Sequence, residues 1–209
     1  DAPSLDALPF ALQEKIHRAR AVLPAIERLF ERQRASTSVD ELNKVSLAGL
    51  KVIPNDFQNA HFFDVWIQKL AEFERPDAVS QILEIMYERG VQPTSKQMDT
   101  LVKAWFRSGE EESASKAERI AAAMIDKRTA LARQQGATGD AAALLCAPIT
   151  SGEGAPIPHF LQRSIPPATA STYAHILKFY LEQRKWAEVA LYVRLMKQAG
   201  VTVRTDLSN

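Results

Sequence analysis

Thr172-Tyr173-Ala174-His175-Ile176-Leu177 and, starting 24 residues after Thr172, Met196-Lys197-Gln198-Ala199-Gly200-Val201 decide the fold. The first stretch, with Tyr180, puts apolar residues on one face of a helix. Trp186, Val189, Ala190, Val193 and Met196 do the same for a second helix, which Gly200 ends. A glycine just past a helix accepts the left-handed backbone that stops it. The same arrangement occurs 110 residues earlier. Ala60–Thr94 and Ala170–Arg204 are each 35 residues long and align without a gap. Phe63 matches Tyr173, Trp66-Ile67 matches Ile176-Leu177, Met86 matches Met196, and Gly90-Val91 matches Gly200-Val201. A third copy begins at Ser95 with Met98, Leu101, Val102, Trp105, Gly109 and Met124, and carries extra residues between its helices.

Outward from these copies, four segments are expected: an N-terminal helical cap over 1–58, two helix pairs over 59–135, a Gly/Pro-rich loop over 136–169 and a last helix pair over 170–209. In the cap, Phe10 to Phe30 follow helical spacing, with Pro24 expected to kink or split the helix. Ser38 with Glu41 forms a capping-box pattern for a second helix, expected to run to about Leu47, with Gly49 and Pro54 closing the segment. Pro76 starts the second helix of the first pair, and Val79, Ile82, Leu83 and Met86 form its apolar face. The loop carries Gly136, Gly139, Gly152, Gly154 and five prolines, with one helical turn expected near 141–145. Helix pairs at a fixed period describe an all-α fold, an α-solenoid of antiparallel hairpins.

The Met-x-x-x-Gly-Val endings and the Thr-Tyr-x-x-Ile-Leu start resemble the pentatricopeptide repeat family, whose repeat is 35 residues long. Met86-Tyr87-Glu88-Arg89-Gly90-Val91-Gln92-Pro93 matches the family's ending most fully. The resemblance covers about half the chain. It implies a right-handed solenoid, RNA as partner, and residence in mitochondria (the matrix) or, as the weaker option, chloroplasts. Family members lay a single strand along the first helices, one base per repeat. Their base-reading residues are the fifth and last of each repeat. By the resemblance these positions are Asp64 with Thr94, Asp99 in the middle copy, and Ala174 with Arg204. The pairs depart from the family's usual Asn, Thr or Ser followed by Asp or Asn.

Lys178, Arg184, Lys185, Arg194, Lys197 and Arg204 outnumber the acidic Glu182, Glu188 and Asp206 in the last segment. They are the expected contacts to RNA phosphates. Elsewhere charge is balanced: Lys+Arg 26 against Asp+Glu 25 gives +1 overall, so no global basic field marks a nucleic-acid partner. Hydrophobic residues at 46% exclude a wholly disordered chain. No apolar run approaches the length of a membrane span, so no membrane insertion is expected.

Nothing in the sequence points to an enzyme. Cys146 is a single thiol in an apolar stretch and reads as quiet. His17, His61, His159 and His175 form no ligand-spaced pair, and no Gly-rich phosphate loop or nucleophile elbow occurs. No cofactor or metal is implied. Glu110-Glu111-Glu112 reads as a helix start favoured by the dipole. Trp66, Trp105 and Trp186 sit on apolar faces and are expected in the core.

Three functions fit. The first is a subunit of an organellar ribonucleoprotein, above all the mitochondrial ribosome, holding RNA backbone and protein neighbours. The second is a standalone RNA factor in processing, stability or translation. The third is a protein-binding scaffold such as a respiratory-complex accessory subunit. The unconventional code positions and the few repeats favour the first.

Overall fold

The computed structural model describes residues 9–134, 158, 160 and 165–202. Most of the expected Gly/Pro-rich loop, Cys146, His159 and Arg204 lie outside the described residues. Eight α-helices are described: α1 (Phe10–Ala35), α2 (Val39–Val52), α3 (Asp64–Glu72), α4 (Pro76–Glu88), α5 (Ser95–Arg107), α6 (Glu111–Gln134), α7 (Ala170–Glu182) and α8 (Trp186–Gln198). No strand occurs among the described residues. The chain forms two compact units, residues 1–69 and 70–209.

In the first unit α1 packs against α2. It does not split at Pro24 but runs through it as one helix. The bond lost there belongs to the carbonyl of Arg20, an exposed residue, where solvent access keeps the loss small. The Arg28 guanidinium donates to the Pro24 carbonyl at 3.1 Å. Ser38 caps α2 by accepting from the Glu41 N–H at 3.2 Å. The Glu41 carboxylate takes the Thr37 N–H at 3.0 Å, one residue before the group a capping box uses.

α2 also runs past its expected end at Leu47. Gly49 is buried inside it, and a Cβ there would stand 2.6 Å from Leu29 Cδ2. This glycine sets the approach of two helices and does not stop one. Gly49→Val is therefore expected to lower stability by about 2 kcal/mol through overpacking, read by urea unfolding. Unchanged stability would mean that Leu29 rotates away freely. Beyond α2, Gln58 Nε2 donates to the carbonyls of Leu50 and Ile53. The Trp66 indole N–H donates to Asn43 at 2.9 Å, and the ring of Phe62 packs against Phe30. These contacts carry the first unit beyond the expected boundary at residue 58.

In the second unit the repeat seen in the sequence returns in the backbone. Gly90 and Gly200 both have left-handed φ, +70° and +63°. In both copies the N–H after the glycine reaches back to the methionine carbonyl: Val91 to Met86 at 2.9 Å, Val201 to Met196 at 3.0 Å. This is the Schellman closure of a helix C-terminus. The turns into the second helices also match. Glu74 and Arg184 have φ of 55° and 58°, and the next residue's N–H bonds back five residues, Arg75 to Leu70 and Lys185 to Tyr180. The motif residues thus specify two helix endings, and the two interhelix turns match in geometry.

α5 packs on α6 and α7 on α8, while α7 also packs on both α5 and α6. Val79, Ile82, Leu83, Met86, Met98, Leu101, Val102, Trp105, Ala117, Ile120, Ala121, Met124, Tyr173 and Ile176 are buried, as their spacing predicts. α6 begins at Glu111, with Glu111 and Glu112 in its first turn and the Lys116 ammonium 2.8 Å from Glu112. The Tyr180 and Tyr192 rings stack at 5.5 Å between α7 and α8. Tyr180 is hydrogen-bonded to the half-buried Glu118 carboxylate of α6, whose pKa burial raises.

The expected apolar face of α8 is only partly covered. Tyr192 and Leu195 are its buried residues, whereas Trp186 is 64% exposed and Val189, Val193 and Met196 are only half-buried. The expectation that Trp186 belongs to the core is wrong. Trp66 and Trp105, at 1% exposure each, do belong there.

Candidate functional site

The site is built where α7 lies beside α5. On α5, Lys96, Thr100, Lys103 and Arg107 follow one another at i, i+4, i+7 and i+11, which places them along one helix face. On α7, Ser171, His175, Lys178 and Glu182 occupy the same register, 75 residues on. The two stripes line two adjoining clefts. One of about 330 Å³ is bounded by Lys96, Thr100, Lys103, Ser171 and His175, with Asp99 and Thr169. The other, of about 280 Å³, is bounded by Lys103, Arg107, His175, Lys178 and Glu182, with Phe106 and Phe179. The two phenyl rings stack across the helices, 4.3 Å apart and tilted by 25°.

Cations outnumber carboxylates along this surface. Lys96, Lys103 and Arg107 are exposed, and among the described residues none has an ion-pair partner. Lys178 has one at 3.8 Å, the exposed Glu182. The His175 imidazole is held below its ordinary pKa, first by burial and then by the charges of Lys103, Arg107 and Lys178. Three cations thus bear on one imidazole and make the local field positive.

Asp99 sits at the base of the first cleft and is taken up by the fold. Its carboxylate accepts from Thr172 Oγ1 at 2.6 Å and from Thr169 Oγ1 at 2.7 Å. The same two threonines cap α7: Thr169 Oγ1 accepts from the Ser171 N–H, and the Thr169 N–H donates to Thr172 Oγ1. The approach to α7 is held as well. The Ala168 N–H donates to the Met124 carbonyl at 2.9 Å, Ser95 Oγ to the Pro167 carbonyl at 2.9 Å, and Lys127 Nζ to the Ile165 carbonyl at 2.6 Å.

The other positions expected to read bases are similarly placed in local structure. Thr94 is the N-cap of α5: its hydroxyl accepts from the Gln97 N–H, and its own N–H donates to Gln97 Oε1. Asp64 stands 3.1 Å from His61 Nδ1. Ala174 is exposed and carries no polar group.

Of the described residues expected on phosphate, Lys178 alone lies in the clefts. Arg184 and Lys185 form the turn before α8, where the Lys185 ammonium lies 5.7 Å from the centre of the Tyr180 ring. Arg194 and Lys197 are exposed on α8. Lys96, Lys103 and Arg107 were missed by counting charges per segment, although their i, i+7, i+11 spacing is present in the sequence.

No protein-family model, curated protein or solved structure matches the chain. Among the described residues no group of three His, Cys, Asp or Glu side chains is placed to hold a metal ion. No described helix is long and apolar enough to cross a membrane.

Proposed function

We propose that this chain is a pentatricopeptide-repeat-type subunit of an organellar ribonucleoprotein, with the mitochondrial ribosome in the matrix as the assembly that fits best. In this reading the α5–α7 clefts hold the sugar–phosphate backbone of a single RNA strand. The observation that carries it is the pair of register-matched stripes, with Lys96, Lys103, Arg107 and Lys178 around His175 and two phenyl rings. Cations interleaved with aromatic rings along a groove suit single strands, because phosphates meet the charge while bases can stack. Asp99 and Thr94 spend their polar groups on helix caps, which favours backbone docking over base reading by these repeats. That in turn favours a structural subunit over a standalone sequence reader.

Sedimentation of the native protein from organelle lysate, with and without RNase, tests the assembly. Comigration with a ribosomal subunit that collapses on RNase treatment supports it. A light position that shifts only with added RNA favours the standalone factor, and a heavy position indifferent to RNase favours the protein scaffold.

The lowered pKa of His175 carries a second expectation. A phosphate placed among Lys103, Arg107 and Lys178 offsets their repulsion of the imidazolium, so binding raises the His175 pKa. RNA binding therefore takes up a proton and strengthens as pH falls toward and below the ordinary histidine value of 6.5. His175→Gln should flatten this trend in fluorescence titrations. An unchanged pH profile would place the phosphate elsewhere.

A further inference from the structure

The partly exposed side of α7 and α8 carries an inference that does not depend on RNA. Repeat register shows what belongs on such a side. Val79, Leu83 and Met86 on α4 are buried, and so are Ala117, Ala121 and Met124 on α6. The same repeat positions on α8 are Val189, Val193 and Met196, all half-buried. On α5, Val102 is buried and Phe106 stacks on Phe179. Their counterparts on α7 are Leu177, half-buried, and Leu181, 45% exposed. Trp186 and Leu191 are exposed as well. The side of α5 and α6 that these positions match is covered by α7, an amphipathic helix presenting Tyr173, Ile176 and Phe179.

Charge selects the occupant. Arg194 and Lys197 are exposed on α8, each four residues after Ala190 and Val193 respectively, and Arg184 and Lys185 are exposed just before Trp186. Two-fold pairing of two copies through this side would bring these cations toward their own kind. An acidic helix meets them favourably. We infer that Leu181, Trp186, Val189, Val193 and Met196 form a docking surface for an amphipathic helix of another protein, apolar along one stripe and acidic beside it.

The test uses a labelled synthetic peptide copying residues 168–184, with Ser171, His175 and Lys178 replaced by glutamate. It keeps the stripe that α7 buries and is acidic along the side that α7 turns to solvent. Trp186 is the reporter, because Trp66 and Trp105 are already buried. Expected are a saturable rise in anisotropy and a blue shift of tryptophan emission. Val193→Glu should weaken binding by about tenfold or more, and so should Trp186→Glu, whose exposed side chain makes it the safer variant for folding. Arg194→Glu with Lys197→Glu should weaken it most at low salt. Trp186→Glu and Val193→Glu should leave RNA affinity unchanged, and charge reversal in the α5–α7 clefts should leave peptide binding intact. Absence of saturable binding, or equal binding by Trp186→Glu, overturns the inference. Self-association of the chain that Val193→Glu abolishes overturns it too, by giving the surface to a second copy.

Discussion

Lys103→Glu combined with Arg107→Glu is expected to lower affinity for single-stranded RNA by about a hundredfold at low salt. Both side chains border the second cleft, and neither has an ion-pair partner among the described residues. In the free protein they are available to phosphate. Neutralising one phosphate contact lowers the salt slope by about 0.7 for a single strand, so losing two lowers it by about 1.4. Reversal adds repulsion to that loss, and a hundredfold change corresponds to about 2.7 kcal/mol. Because both residues are exposed on α5, helix content by circular dichroism should be unchanged. A retained affinity with an unchanged salt slope would remove these residues from the RNA path. Arg194→Glu with Lys197→Glu makes the same charge change on α8, outside the clefts, and should lower RNA affinity much less.

Asp99→Ala is expected to cost about 3 kcal/mol of stability. The substitution removes the acceptor of two threonine hydroxyls that also cap α7, so one truncation loosens the cap and the α5–α7 contact together. Asp99→Asn keeps the shape and can bond both threonines, accepting from Thr172 and donating to Thr169, so it should fall within about 1 kcal/mol of the parent. The two variants separate hydrogen bonding from charge. Burial raises the Asp99 pKa above its ordinary value, and the two threonine bonds oppose this with smaller effect. A carboxyl with a raised native pKa binds more protons folded than unfolded. Its contribution is therefore present below the unfolded value of 3.8 and is lost as pH rises through the folded value. Asp99→Asn should remove that part of the acid-side pH dependence in urea unfolding. A stability equal to the parent for Asp99→Ala would show that the carboxylate holds nothing together.

Much of the second unit was legible because its signals are local. Met86, Gly90 and Val91 meet within one helix ending, so their spacing alone specifies the Schellman closure that Met196, Gly200 and Val201 repeat. Burial of the α4, α5 and α6 faces followed from helical spacing for the same reason. What escaped depends on a second element. Gly49 reads as a stop until Leu29 is found against it. Pro24 reads as a breaker until the carbonyl it leaves unbonded is placed on an exposed turn. Asp99 reads as a base-contacting position until Thr169 and Thr172, some seventy residues away, are brought onto it. Trp186 reads as core because periodicity marks an apolar face without saying whether anything covers it.

The basic clefts were legible only in part for the same reason. Lys178 lies in a segment with excess positive charge and stood out. Lys96, Lys103 and Arg107 lie among acidic neighbours such as Asp99, Glu110, Glu111 and Glu112, so a segment sum hides them. The fold separates these charges. It buries Asp99, gathers the glutamates at the start of α6, and leaves the three cations on one side of α5.

The central claim is that RNA runs along the α5–α7 clefts, and crosslinking tests it most directly. The purified chain would be irradiated with a 4-thiouridine-substituted single strand, digested, and the crosslinked peptides mapped by mass spectrometry. The account predicts that crosslinks concentrate in residues 96–107 and 171–182 and disappear in the Lys103→Glu, Arg107→Glu variant. Crosslinks that fall on α1, α2 or α8 and persist in that variant would contradict it.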